Sequence, residues 1–363
     1  MGRSNVVLGL IWALILPSHT LNAQQTGAVS LLGHLDKKHG QSNGNPPFAF
    51  SSCWGYTAGN GREYALIGVY EGTSIIDITN PSNLVEAAFV RGPSSIYREM
   101  KTYLQYAYIV SEGGGGVQIV DLSPLPDSVR FVKSWTYGGF TRAHTISQTG
   151  QYLYLNGGNA TTNGGIAIIS LADPVNPIKV GEWTVHYVHD CYVRMDTIFA
   201  AGFPEGVSII DARNKPNPQR IAQITYPGSG THNAWTTEDG KFVLTTDETG
   251  STAKNLKIWD IRDLGRISKA AEFTANPSAI IHNVYVRGNY AHIAYYTEGY
   301  VVVDITDPTK PVKVGSFDTW PSSDGIYAGA WNVYPYFPSG KVILSDIQTG
   351  LYIFSFAGQV TTV

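Results

Sequence analysis

A seven-bladed β-propeller with four-stranded antiparallel blades is the all-β fold that the sequence predicts, and three observations carry it. The composition is 43% hydrophobic, 12% aromatic and 15% charged over 363 residues, with 39 Gly and 19 Pro spread along the chain. Such a chain has apolar mass for one large domain of short strands and tight turns, and it is not disordered. An apolar strand closing on Asp or Ser recurs seven times, ending at Asp77, Asp121, Ser170, Asp211, Asp260, Asp304 and Ser355, at spacings of 41 to 51 residues. About 45 residues is what a blade of four short strands needs. Finally, the two ends of the chain are complementary: the seventh unit runs out after its third strand, and a spare strand stands near the beginning.

Taken in order, Arg3 precedes an apolar run from Val6 to Leu16, then Pro17 and the small-residue stop Leu21-Asn22-Ala23. The run is too short for a bilayer, which needs roughly 20 apolar residues, and suits a secretory signal peptide over residues 1–23. Residues 24–363 then form the propeller as a single domain. Val29 to Leu35 has the pattern of an outermost strand, like Val312 to Phe317 and Ile178 to Trp183, and is expected to complete blade seven and close the ring. Within each unit two β-rich runs precede the Asp-ending strand, as Cys191-Tyr192-Val193 and Ile198 to Ala201 do around the turn Arg194-Met195-Asp196. A Pro-rich turn follows it, such as Asp173-Pro174-Val175-Asn176-Pro177, and leads into the fourth strand. Cys53 and Cys191 fall in blades one and four, nearly opposite on the ring, beyond the ~7 Å that a disulfide bridges. They are expected to be packed free thiols.

The strand Gln118-Ile119-Val120-Asp121-Leu122, with Trp54-Gly55-Tyr56, Gly61 to Leu66, His282-Asn283 and the long stretch Gly329 to Gly340, resembles the choice-of-anchor B family, secreted bacterial proteins built from LVIVD repeats. The resemblance covers nearly all of the chain after residue 23. It implies a propeller and export, and it carries no particular activity. Members of that family often continue into C-terminal sorting or anchoring segments; this sequence ends at Val363, and release into the periplasm or the medium is expected.

Chemistry-bearing residues gather at the start of the innermost strands. Aligning the units places Trp54, Arg98, His144, His189, His232, His282 and Trp331 at equivalent positions, several followed by a polar partner: Glu99, Asp190, Asn233, Asn283 and Asn332. A second series, Glu71, Glu112, Glu205 and Glu298, each followed by Gly, marks the turn between second and third strands, with Asp247-Glu248-Thr249-Gly250 and Asp346 in its place in blades five and seven. Two strand reversals separate the series, so both face one mouth of the channel. Two readings follow. Each His would staple its blade to a carboxylate of the neighbouring turn, a charge-assisted bond of about 1.5–3 kcal/mol when buried. Alternatively, His144, His189, His232 and His282 with Asp190, Glu112 and Glu205 would hold Zn or Cu, ions suited to neutral imidazoles. In the second case Trp54, Arg98, Glu99, Trp331, Asn332, Glu71 and Glu298 would line a ligand pocket. The change from His to Arg and Trp on one side of the ring favours an asymmetric pocket over a repeated clamp.

A formal charge of −3 with no basic run longer than Lys37-Lys38 leaves no footprint for nucleic acid. No segment after the leader is apolar enough to span a membrane. There is no His-Glu-x-x-His helix, Gly-x-Ser-x-Gly elbow or phosphate-cradling loop. The expected molecule is an exported, monomeric binding or scaffold module for an extracellular protein, peptide or glycan. Metal-dependent hydrolysis or oxidation is the alternative activity.

Overall fold

The computed structural model of the protein describes residues 25–358; the segment read as a signal peptide lies outside the described residues. Seven antiparallel sheets of consecutive strands are arranged as the blades of a propeller. The innermost strands are Phe50–Thr57, Arg98–Tyr103, Thr145–Thr149, Asp190–Arg194, Thr231–Thr236, Asn283–Arg287 and Ala330–Tyr334. Each touches the innermost strand of the next blade, from blade one round to blade seven and back. Seven neighbours in a closed cycle enclose an axis, and all residues near it come from the starts of these strands.

Local composition explains the layering. Second and third strands are fully buried, as in Glu63–Val69 and Gly72–Asp77, because each is covered by the blades on both sides and so reads as a continuous apolar run. Outer strands such as Gln219–Ile224 are largely exposed. In all seven blades the pairing of third and fourth strands shifts by one residue. Such a bulge increases twist and bends the outer strand. Glycine is needed in two of these strands: a Cβ on Gly33 would stand 2.1 Å from the carbonyl oxygen of Pro81, and one on Gly181 would stand 1.8 Å from that of Lys215. The Pro-rich turn of the following blade thus packs directly onto the outer strand.

The ring closes as the sequence predicts: Val29–Leu35 pairs antiparallel with Gly350–Phe356 as the fourth strand of blade seven. The segment before it does more than expected, since Gln25–Gly27 adds a fifth strand to blade six by pairing with Phe317 to Gly315. Lys341 Nζ meets Glu63 Oε2 at 2.9 Å across the seam between blades seven and one. Cys53 and Cys191 are buried free thiols, both pushed up to about 12 by burial. No helix among the described residues is long and apolar enough to cross a membrane.

Candidate functional site

At one end of the axis six rings form a closed circle. His144, His189, His232 and His282 follow one another with centroid separations of 4.2, 4.2 and 4.0 Å. Trp331 continues the circle 4.6 Å from His282, and Tyr97 closes it, 5.8 Å from Trp331 and 5.2 Å from His144. Each residue precedes or begins the innermost strand of its blade, so strand geometry places a ring from blades two to seven at the same height. Above the circle opens a cavity of ≈ 410 Å³ walled by Phe48, Tyr187, Phe203, Tyr296 and Tyr327, with Glu112 and Glu248.

Carbonyl partners fix the tautomers of two of the imidazoles. His189 Nδ1 lies 3.3 Å from the carbonyl oxygen of His232, and His282 Nδ1 lies 2.5 Å from that of Trp331, the equivalent residues one blade further on. A carbonyl only accepts, so each Nδ1 carries the proton and each Nε2 is left as a bare acceptor. His144 Nδ1 donates to Glu112 Oε1 at 2.7 Å. This last bond is the blade-to-blade staple read from the sequence, made at one seam. His232 Nδ1 is buried without a well-formed partner. Burial holds His189 and His232 well below the usual imidazole range and brings His282 down to about 3. All three are therefore neutral at physiological pH.

Glu248, from the turn after the second strand of blade five, completes the arrangement. Its Oε1 accepts the Tyr296 hydroxyl proton at 2.6 Å, while its Oε2 stands 3.8 Å from His232 Nε2; His282 Nε2 is 3.9 Å from Oε1. Burial pushes this carboxyl up from its ordinary value and the Tyr296 hydroxyl well above its own. One ring nitrogen each of His189 and His232 and a carboxylate oxygen of Glu248 lie within 4.8 Å of one another. The turn is itself pinned: Glu248 N donates to Gly230 O, and the neighbouring Asp247 pairs with Lys257 at 2.8 Å in the interior.

Below the rings lies a polar layer. Asp190 Oδ2 accepts from Asn233 Nδ2 at 2.6 Å, Asn283 Nδ2 donates to Asn332 Oδ1 at 3.1 Å, and Asn332 Nδ2 reaches Ser52 Oγ at 2.8 Å. Glu99 is in the same layer, paired with Lys101. Burial, then the charge of Glu99, pushes the Asp190 carboxyl up to about 6. These bonds run from blade to blade, leave Asn283 Oδ1 without a partner, and make the layer the floor of the mouth.

Several residues singled out from the sequence are not at the mouth. Trp54 lies lower, against Tyr334, Tyr285 and the Lys101 ammonium. Pairing in blade one shifts between Phe50 and Cys53, which carries Trp54 away from the ring position and leaves the small Ser51 and Ser52 at the height of the circle and its floor. Arg98 has the expected register, but its guanidinium turns back to the carbonyls of Val69 and Pro93, and Tyr97 occupies the circle instead. Burial lowers Arg98 to about 10. Glu71 faces Arg91 on the rim, Glu298 accepts from Asn276, and Glu205 is bonded through its carbonyl to Gln223. None of these three lines the cavity. Glu248, Tyr97 and Tyr296 are the functional candidates that residue matching passed over; the Asp247-Glu248-Thr249-Gly250 turn was the one signal for the first. His186 bonds Ser208, and the buried His292 bonds Tyr300 at 2.6 Å, both as packing residues.

A family model for the LVIVD repeat matches residues 62–91 and 280–319. The chain carries LVIVD repeats. The matched stretches are the three outer strands of blade one and the four consecutive strands of blade six, with His282 just before the first of these. Among solved structures, the LVIVD propeller resembles the β-propeller domain of Cps50 (Swd1) from Myceliophteria thermophila, with a TM-score of 0.57 at 13% identity, over 89% of this chain and 100% of that one. At that identity the likeness concerns the fold alone. No curated protein matches the sequence.

Proposed function

We propose that the protein is a binding module, exported as the choice-of-anchor B resemblance implies, whose ligand seats in the axial mouth. The observation that supports this best is an imbalance of hydrogen-bonding sense. The atoms offered to the cavity by His189, His282 and Glu248 are acceptors, no Lys or Arg among the described residues lines the wall, and most of the remainder is aromatic. Buried acceptors without donors are costly, and a ligand that brings donors relieves them. The complementary ligand is a neutral or cationic, donor-rich group with a flat apolar face, such as a sugar ring or a basic peptide side chain, stacked on Tyr327, Phe48 or Tyr97. A secreted partner carrying such a group, and a monomeric propeller presenting the mouth to it, complete the proposal.

The test is a panel of immobilised glycans and short basic peptides. Retained probes should lose tenfold or more in affinity on Tyr327→Ala, a loss of about 1.4 kcal/mol. Tyr327 is 43% exposed, so its truncation leaves the fold intact. Ile178→Ser, on the 65% exposed outer surface of blade three, should change nothing. Retention indifferent to Tyr327, or no retained probe at all, would contradict the proposal.

A further inference from the structure

The same acceptor excess has a more specific consequence at the floor of the mouth, and it rests on the reading of the mouth as the ligand site. The geometry points to a site for one divalent first-row transition ion held by His189, His232 and Glu248.

The donor set excludes the hard ions. Calcium and magnesium take oxygen ligands, whereas two imidazoles and one carboxylate suit zinc and its neighbours in the series. Distances are close to those needed. A tetrahedral shell with bonds of about 2.1 Å has edges of about 3.4 Å, against 3.8 Å between His232 Nε2 and Glu248 Oε2 and a maximum of 4.8 Å within the group. Small side-chain rotations close the difference.

The surroundings are those of a held ligand set. Metal-binding imidazoles donate their other N–H to a carbonyl or carboxylate, which fixes the ring and its tautomer, and ligating carboxylates are themselves hydrogen-bonded. His189 is anchored on the His232 carbonyl, and Glu248 is oriented by the Tyr296 hydroxyl. If the histidines were only blade staples, each Nε2 would also need a donor; the neighbours around the circle are further imidazoles and aromatic faces. Packing the neutral His189, His232 and His282 rings beside a buried carboxylate leaves their acceptors unmatched. A cation at the centre satisfies them together. His282, with Nε2 3.9 Å from Glu248, stands beside the fourth position, and the open cavity above it leaves room for a group from the partner.

The experiment uses the full chain after residue 23, stripped with chelator and then dialysed against Zn²⁺ alone. One equivalent should remain after gel filtration, and neither Ca²⁺ nor Mg²⁺ should compete. His232→Gln and Glu248→Gln should each weaken retention by more than tenfold. Tyr296→Phe, which removes only the bond that orients Glu248, should weaken it by about tenfold. Because a buried variant can misfold, Co²⁺ binding to the unaltered chain gives a second readout: intense visible bands of a low-coordinate site are expected, and the faint spectrum of an octahedral hydrated ion would overturn the assignment. Failure to retain Zn²⁺, retention unchanged in Glu248→Gln, or retention lost in the surface variant His34→Gln would also overturn it. If Zn²⁺ is not retained while glycan or peptide binding still depends on Tyr327, the metal site falls and the mouth proposal stands. If Zn²⁺ is retained as described but Tyr327→Ala has no effect on any probe, the metal site stands and the mouth proposal falls.

Discussion

Deleting residues 25–35 is expected to make the chain aggregate and to abolish its cooperative thermal transition. The segment supplies the outer strand of blade seven, seven residues long, and the fifth strand of blade six. Val29 is fully buried in the cluster with Phe354, Phe356 and Phe317. Without it, Gly350–Phe356 becomes a bare, flat apolar edge, the kind of strand that pairs with other chains. The loss also unlatches the ring and opens its closing seam to water. The combined cost exceeds the roughly 5–15 kcal/mol by which a domain is stable. Light scattering and a thermal melt of the truncated chain measure this; a soluble monomer with an unchanged melting temperature would mean that the ring closes by other contacts.

Lys257→Met is expected to cost about 3–5 kcal/mol, because it leaves the Asp247 carboxylate buried without its cation. The pair is almost wholly enclosed, at 3% and 0% side-chain exposure, and Lys257 also donates to Asn255 Oδ1 and Ala253 O. Asp247 further accepts from Tyr226 and Thr252. This network is what holds the long connection of blade five, and with it Glu248, against the circle of imidazoles. Denaturant titration should show the loss in midpoint, and amide exchange should quicken first over residues 247–250. An unchanged midpoint would place the strength of blade five elsewhere.

The architecture was legible because it is repeated: a strand closing on Asp or Ser, seen seven times, survives local irregularities that would hide a single copy. Five of the circle's members were legible for the same reason, His144, His189, His232, His282 and Trp331 each standing where the innermost strand of its repeat begins. What periodicity cannot see is a shift of register within one blade. Trp54 matches the pattern by residue type but lies past the irregular pairing at Phe50 to Cys53, and so belongs to the aromatic layer lower in the channel. Nor does register say which way a long side chain turns. Arg98 starts its strand where expected, yet its donors find the carbonyls of Val69 and Pro93 nearer than the axis, and Tyr97 fills the circle. The Glu-Gly dipeptide marked the right turns but for a backbone reason. Gly206 and Gly299 adopt positive φ where a Cβ would meet the outer strand's carbonyl at 2.0 and 2.2 Å. That requirement keeps the glycine and leaves the direction of the preceding glutamate free. In the longer connection of blade five the dipeptide is absent, and the carboxylate that reaches the imidazoles is Glu248.

All of this depends on imidazoles drawn from separate blades, His189 and His282 first among them, presenting bare Nε2 atoms to one cavity. Long-range ¹H–¹⁵N correlation spectra of the chelator-stripped protein read the protonation of each ring nitrogen directly. The Nδ1–H form is expected for His189 and His282, and His189, His232 and His282 should show no titration near the ordinary imidazole value of about 6.5. Nε2–H forms at these residues, or ordinary titration of the three, would mean that the nitrogens are turned away from the axis or solvated, and that the mouth is not an acceptor-lined site.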